Sequence, residues 1–539
     1  TERAGAISPD GKYFAFVSEN GGAPDIWVRQ VSGGEPVQVT RDAALETDLV
    51  YAPDGESVYY ATLAPQHATP GPAQVSRGSW AVWRVASLGG APRKILDGRY
   101  PAPSLDGKRI AYVRSTESEV TPIWTSSAIE LANSDGSSSE RIYAGWGIGQ
   151  ISWSPDGRWL AFTEGLLFDT RNISIIDVKE KTKRPVTNFT YGSVFSQAWL
   201  PDSQRLLFSR IYDPFPVGTT ADLGIVAIHG GSTQRLTLNV NARFVLPSLS
   251  TNGGRLLATL ESQEREMWRV PLGPDAQANG AAAARLLDRS WDPLWTQVSR
   301  DGSSVLFNSR ATGSRNLWTM PLEVGGAPRQ ITVLPGAHPA LSPDGTRVAY
   351  SSHQTGNAEI WVLNVDGSNP LQLTHDPAQD FWPAWSSDGK WILFGSTRTG
   401  IPQLWKIPAE GGKPVQLTQA SGVRGDWSPV ANRIVYTAQG RLEVADAEDG
   451  KILLKVPFAG WTWTLPVWSP DGRRFTAVQS GHPSDAIWIF DAETGQGRVA
   501  VKFPGRFHML FRAAWGKDGQ SLIVNRSETI SHIVLLENF

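Results

Sequence analysis

One short phrase recurs along this chain and narrows what it can fold into: Ser-Pro-Asp-Gly, or a close variant of it. The Asp position falls at residues 10, 54, 106, 156, 202, 301, 344, 388, 471 and 518, with Asn252 replacing it once and Val430 marking a degenerate copy. The residue types have a physical reason. Pro presets φ at the first corner of a tight turn, Asp bonds the neighbouring backbone, and Gly takes the left-handed corner that lets a hairpin close. Twelve such turns at intervals of 41 to 52 residues match the period of a β-propeller, whose blades are four-stranded antiparallel sheets.

Residues 382–418 display one complete unit. An apolar run ends at Trp385, an SSDG turn follows, and an alternating strand runs through Phe394. A TRTG loop, a strand around Trp405, an EGG turn and a last strand ending at Thr418 complete it. Tryptophan recurs in strand three, at 27, 83, 268, 318, 361, 405 and 488, and in strand one, at 153, 199, 385, 427, 468 and 515. Indoles at repeated strand positions are expected to pack between blades.

The expected fold class is all-β. Twelve blades exceed the four to eight of a usual ring, so the chain makes two β-propellers. Six plus six blades puts the first in 1–288 and the second in 289–539; seven plus five is the other division. The spacing favours the first, because repeats before Asp301 run 44 to 52 residues and those after it 41 to 47. The last repeat holds strands at 512–515, 521–526 and 533–536 and no fourth. Its blade is expected to borrow a strand from upstream of Thr1, to remain three-stranded, or to close where the two chain ends meet.

Composition removes several function classes. A formal charge of −2 with both signs interspersed gives no global reason to bind nucleic acid or an anionic membrane. No apolar run reaches the length of a membrane helix, and no signal peptide is legible ahead of the first strand. The absence of Cys removes disulfides, thiol nucleophiles and thiolate metal sites together.

The order SPDG, an AF(V/T)S-like strand, (D/E)IWV, GG and LT resembles the TolB-type, WD-like propeller repeat. The clearest copies are residues 5–40 and 338–418. The ending HIVLLENF looks most like the propeller sensor halves of bacterial winged-helix regulators and receptor serine/threonine kinases. This resemblance implies a binding or sensing role and an extracytoplasmic setting. It also admits the gating propeller of a larger peptidase, with the catalytic domain outside this chain.

Direct signs of chemistry are few. There is no G-x-S-x-G elbow and no H-E-x-x-H, and the Gly-Lys pairs sit in hairpin turns without phosphate-loop spacing. No cofactor or metal is expected. In an up-and-down blade the variable loops between strands two and three, and between blades, share one face, where binding usually sits. Insertions at 64–79, 115–127 and 211–221 crown the first ring on that face.

In the second ring the entries to strand one are aromatic and polar: Trp291, Asp292, His338, Asp380, Phe381, Trp382, Arg424, Trp461, Trp463, Phe507 and His508. Flat aromatic faces beside Arg, Asp and His suit a protein loop, a peptide or a carbohydrate. The competing reading packs Trp382, Trp461 and Trp463 between blades like the other tryptophans. The expected function is a non-catalytic binding module. The catalytic alternative is a propeller lyase or hydrolase using His338, His508 and nearby carboxylates.

Overall fold

The repeat turn is built as the residue types require. In the first blade the Ser8 carbonyl accepts the Gly11 N–H at 2.9 Å. The Ser8 hydroxyl donates to Asp10 at 2.7 Å and accepts the Tyr13 N–H at 2.9 Å, while Asp10 accepts the Lys12 N–H at 3.0 Å. Gly11 takes φ +72°. Asn252 reproduces this network, accepting from Ser250 Oγ at 2.7 Å and from the Gly254 N–H at 3.0 Å. A side-chain amide oxygen thus replaces a carboxylate oxygen without changing the turn.

The computed structural model describes residues 2–18, 24–41, 45–63, 80–115, 126–165, 170–190, 192–211, 220–237, 242–322, 326–420, 422–438, 440–458, 464–479, 485–503 and 512–537. Among them, ten separate four-stranded sheets run in strict sequence order, antiparallel throughout, and an eleventh sheet is composite. Of the expected insertions, all of 64–79, residues 116–125 of 115–127 and residues 212–219 of 211–221 lie outside the described residues.

The chain forms two compact units, Thr1–Ser262 with Ile530–Phe539, and Gln263–Thr529. In the first, the innermost strands Glu2–Ile7, Leu45–Tyr51, Arg99–Pro103, Ile151–Trp153, Ser193–Trp199 and Arg243–Leu249 touch in that order, and the last touches the first. In the second, Leu294–Val298, Ala337–Leu341, Asp380–Trp385, Gly425–Trp427, Val467–Trp468 and Ala513–Trp515 close in the same way. Each unit is a ring of six.

The boundary near 288 gives way to one at 262, and the composite sheet supplies the reason. Arg255–Pro271 is one uninterrupted strand of 17 residues, and so is Ser521–Glu537. The first unit's sixth blade therefore consists of Arg243–Leu249, residues 255–262 and residues 530–537, and Arg255 pairs with Glu537 at 3.1 Å. The second unit's sixth blade consists of Ala513–Trp515, residues 521–529, residues 263–271 and Ala284–Leu287. There the Leu272 N–H donates to Gln520 at 2.8 Å. The third and fourth strands of that blade are thus the segment around Trp268 and Ala284–Leu287, and the strand at 533–536, expected as the third, belongs instead to the first unit.

The strand-one indoles join neighbouring blades directly. Trp153, Trp385 and Trp515 donate their ring N–H to the carbonyls of Ala102, Ala340 and Val467, at 2.9, 2.9 and 3.1 Å. Trp199 and Trp468 do the same to Ser152 and Asp426, both at 3.2 Å. Every acceptor lies four residues before the turn position of the preceding blade. Each bond contributes roughly 0.5–1.5 kcal/mol beyond the burial of the ring.

Candidate functional site

The innermost strands share a device that decides which side chains face the channel. Their pairing with strand two slips between Leu294 and Gln297, between Ala337 and Ala340, and between Phe381 and Ala384. One residue of each slip, Trp295, His338 or Trp382, takes a left-handed φ of 49°, 54° or 54°. A β-bulge re-aims the extra side chain. The same conformation occurs in the first unit at Ala4, Asp48, Tyr100 and Leu246. The bulge is therefore a scaffold feature, and the rings differ in what occupies it.

All these residues lie six positions before the turn residue of their blade. That register assigns Trp295, His338, Trp382, Arg424, Leu465 and Arg512 to the second unit, and Ala4, Asp48, Tyr100, Gln150, Ser196 and Leu246 to the first. The second set is much richer in rings and guanidinium groups.

Its members stack around the channel in blade order. Trp295 and His338 have ring centroids 4.1 Å apart, His338 and Trp382 5.3 Å, and the Arg424 guanidinium lies 4.3 Å from the Trp382 ring. Trp295, Trp382 and Arg424 are each 3% exposed. Leu465 and Arg512 continue the ring, joined by a parallel backbone bridge. Between them and the stack lies a cavity of ≈ 10 Å³, which Asp426 also lines. That is room for about one water.

The electrostatics of this wall are set by burial and by arginine. Burial holds His338 well below the usual histidine range, and Arg424, His353, Arg315 and Arg512 push it the same way. His338 is therefore a neutral imidazole at physiological pH, with Nδ1 3.3 Å from Ser351 Oγ. Burial lowers Arg424 to about 9. Burial raises Asp426 and lowers Arg512, and the attraction between the two opposes both shifts.

The other sequence-derived candidates fall into distinct settings. Trp291 ends a short 3-10 turn and meets Trp318 edge-on at 5.2 Å, in the manner of packing. Asp292 pairs with the buried Arg265 and stands 3.5 Å from Arg315. Asp380 is fully buried and bound by Arg398 at 2.8 Å; burial raises its carboxyl against that attraction. Phe381 packs on Trp382 with centroids 4.4 Å apart. His338, Trp382 and Arg424 come together at the channel, while Trp461, Trp463, Phe507 and His508 lie outside the described residues.

Trp295, Asp426, Leu465 and Arg512 also belong to the site, and reading the aromatic strand entries does not single them out. Counting six residues back from each turn finds Trp295, Leu465 and Arg512. Asp426 needs a count of four. No group of three or more His, Asp or Glu able to hold a metal occurs among the described residues.

Residues 276–452 match the PD40 family, described as the TolB beta propeller domain. The matched residues lie within the second unit and cover a third of the chain. An uncharacterized protein of Agrobacterium fabrum is 28% identical over 165 residues, which cover 29% of this chain and 52% of that protein. The chain thus spans about half the length of the curated relative it matches. TolB from Acinetobacter baumannii is similar at 15% identity and TM-score 0.36, over 62% of this chain and 79% of that one. Oligogalacturonate lyase from Vibrio parahaemolyticus is similar at 11% identity and TM-score 0.34, over 66% and 87%. Neither structural likeness bears on what this chain binds or does.

Proposed function

We propose that this chain is a non-catalytic binding and sensing module, and that its ligand or partner engages the channel of the second propeller. One observation carries the reading: a single register position, repeated around that ring, presents Trp295, His338, Trp382, Arg424, Leu465 and Arg512 together. The first ring offers mostly small or uncharged residues at the same position. Rigid aromatic walls with a few directed polar groups are the usual make-up of a recognition site.

The test is equilibrium binding of peptide and oligosaccharide panels to the whole chain, wild type against Leu465→Phe. Leu465 lines the cavity, so a larger ring there should block entry while circular dichroism stays unchanged. Ligands that lose at least tenfold in affinity support the reading. Ligands that bind both proteins equally place recognition elsewhere. The catalytic alternative is decided on the same panels: product formation that disappears in His338→Ala while circular dichroism shows the protein still folded would replace the binding reading.

A further inference from the structure

The joint between the second and third blades of the second unit buries two carboxyl groups. Glu359 opens the third strand of one blade and Asp380 opens the first strand of the next; they are 2% and 0% exposed. The backbone ties the two segments together. The Asp380 N–H donates to the Ala358 carbonyl at 2.8 Å, and Gln379 Oε1 accepts the Ala358 N–H at 3.0 Å. Two residues further along the same strand stands Trp382, with its left-handed φ, in the channel wall.

The two acids share one cation. Arg398 holds Asp380 Oδ2 at 2.8 Å, and Asp380 Oδ1 is buried and receives no hydrogen bond among the described residues. Glu359 meets neutral partners, Asn357 at 3.0 Å and Thr374 at 2.5 Å. Asp380 and Arg398 are the charged groups that weigh most on it. One buried guanidinium balances one carboxylate, and a second ionised carboxylate beside it would be uncompensated.

The flanking blades show what the position of Glu359 requires. Fifteen residues after the turn residue they carry Asn316 and Gln403, both buried amides. Eight residues before the next turn residue, where Asp380 stands, they carry Gly336 and Gly422. The surroundings are otherwise alike: Thr332, Thr374 and Thr418 accept the N–H of Leu317, Ile360 and Leu404 at 3.0, 2.9 and 2.9 Å. A protonated Glu359 is the acid counterpart of these amides, neutral and able both to donate and to accept. Burial favours that form, raising its carboxyl to about 7, and the Asp380 charge acts in the same direction. The other titratable groups close by are His353, held at about 4 by burial, and His375 and Asp376 after Thr374. His375 is exposed, and Asp376 accepts the Ala378 N–H at 2.9 Å.

We propose that Glu359 and Asp380 carry one proton between them and form a pH-sensitive latch on this joint. With the proton on Glu359 the contact of residues 357–359 with 379–380 is closed. Its loss to solvent leaves two buried carboxylates against Arg398, opens that contact and frees the Trp382 segment of the channel wall. The latch does not depend on what the channel binds.

The experiment follows the whole chain from about pH 5 to about pH 9 by infrared spectroscopy and by hydrogen exchange, corrected for the chemical rate, on peptides covering 356–362 and 377–385. A neutral carboxylic acid band should persist at the acid end, shift on 13C labelling of glutamate, and disappear near neutral pH. It should be missing from Glu359→Gln. Asp380→Asn leaves Arg398 facing Glu359, so the proton should be held at least tenfold more weakly. Exchange in both peptides should rise at least tenfold as the band disappears, and should stay flat in Glu359→Gln. His375→Gln should change neither readout. No glutamate acid band in the unaltered protein, an unchanged midpoint in Asp380→Asn, or a transition abolished by His375→Gln would overturn the shared proton. A band that titrates while exchange stays flat would overturn the latch.

Discussion

Trp295 and His338 come from adjacent blades, each from a left-handed bulge, and their rings lie 4.1 Å apart between centroids. Trp382, from the next blade, also meets the imidazole, with centroids 5.3 Å apart. These rings are part of the packed wall, so truncating one removes burial and leaves a void. His338→Ala and Trp382→Ala should each cost about 2–5 kcal/mol in denaturant unfolding. In a double-mutant cycle the pair should couple by about 0.5–1.5 kcal/mol. Losses below about 0.5 kcal/mol in both would return them to the freely accessible surface.

The C-terminal strand completes the first ring. Residues 530–537 sit beside 255–262, Ile533 packs within 2.9 Å of where a side chain on Gly5 would begin, and Glu537 pairs with Arg255. Ending the chain after Thr529 removes that strand and leaves the sixth blade's inner strands without their neighbour. Calorimetry should show a transition lowered by many degrees, and limited proteolysis should cut first within 1–262. Cleavage beginning in 263–529 instead would contradict the assignment of this strand.

The fold was legible because its signal is local and repeated: the turn chemistry, the alternation and the Trp positions of residues 382–418 each specify a blade without its neighbours. Closure was not, because Arg255–Pro271 and Ser521–Glu537 carry no turn where each passes from one unit to the other. Nothing in the sequence of Glu264 or Glu528 marks that crossing. The site was partly legible. Trp382, His338 and Arg424 stand out as ring and charge near a strand entry, whereas Trp295 and Arg512 emerge only once the bulge fixes which residue turns inward. Asp380 reads like a site acid, yet its partner Arg398, eighteen residues on, buries it as an ion pair.

Glu359 should give the second unit a distinctive pH response. It is 2% exposed and accepts hydrogen bonds from Asn357 at 3.0 Å and Thr374 at 2.5 Å. Burial is the largest influence on its carboxyl, raised to about 7, and the Asp380 charge adds to it. Between the unfolded value near 4.5 and about 7 the folded state holds a proton that the unfolded state has released. Stability from this group is therefore present at low pH and lost as pH rises through that window. Glu359→Gln resembles the protonated acid and should remove that part of the slope. Parallel stability curves for the two proteins from pH 4.5 to 7 would refute the shift.

Two glycines of nearly equal conformation separate turn strain from blade packing. Gly389 has φ +72°, and a Cβ there would meet only Pro343 Cδ at 3.8 Å. Gly450 has φ +74°, but a Cβ there would lie 1.8 Å from the carbonyl oxygen of Leu417 in the preceding blade. That oxygen is backbone and cannot swing aside. Gly389→Ala should therefore cost only the left-handed penalty, about 1–2 kcal/mol. Gly450→Ala carries the same penalty and must also push two blades apart, so its loss in denaturant unfolding should be clearly larger. Equal losses would mean that the turn at Gly450 is not held against Leu417, and that blades nine and ten meet less closely than their shared core around Leu417 and Trp427 requires.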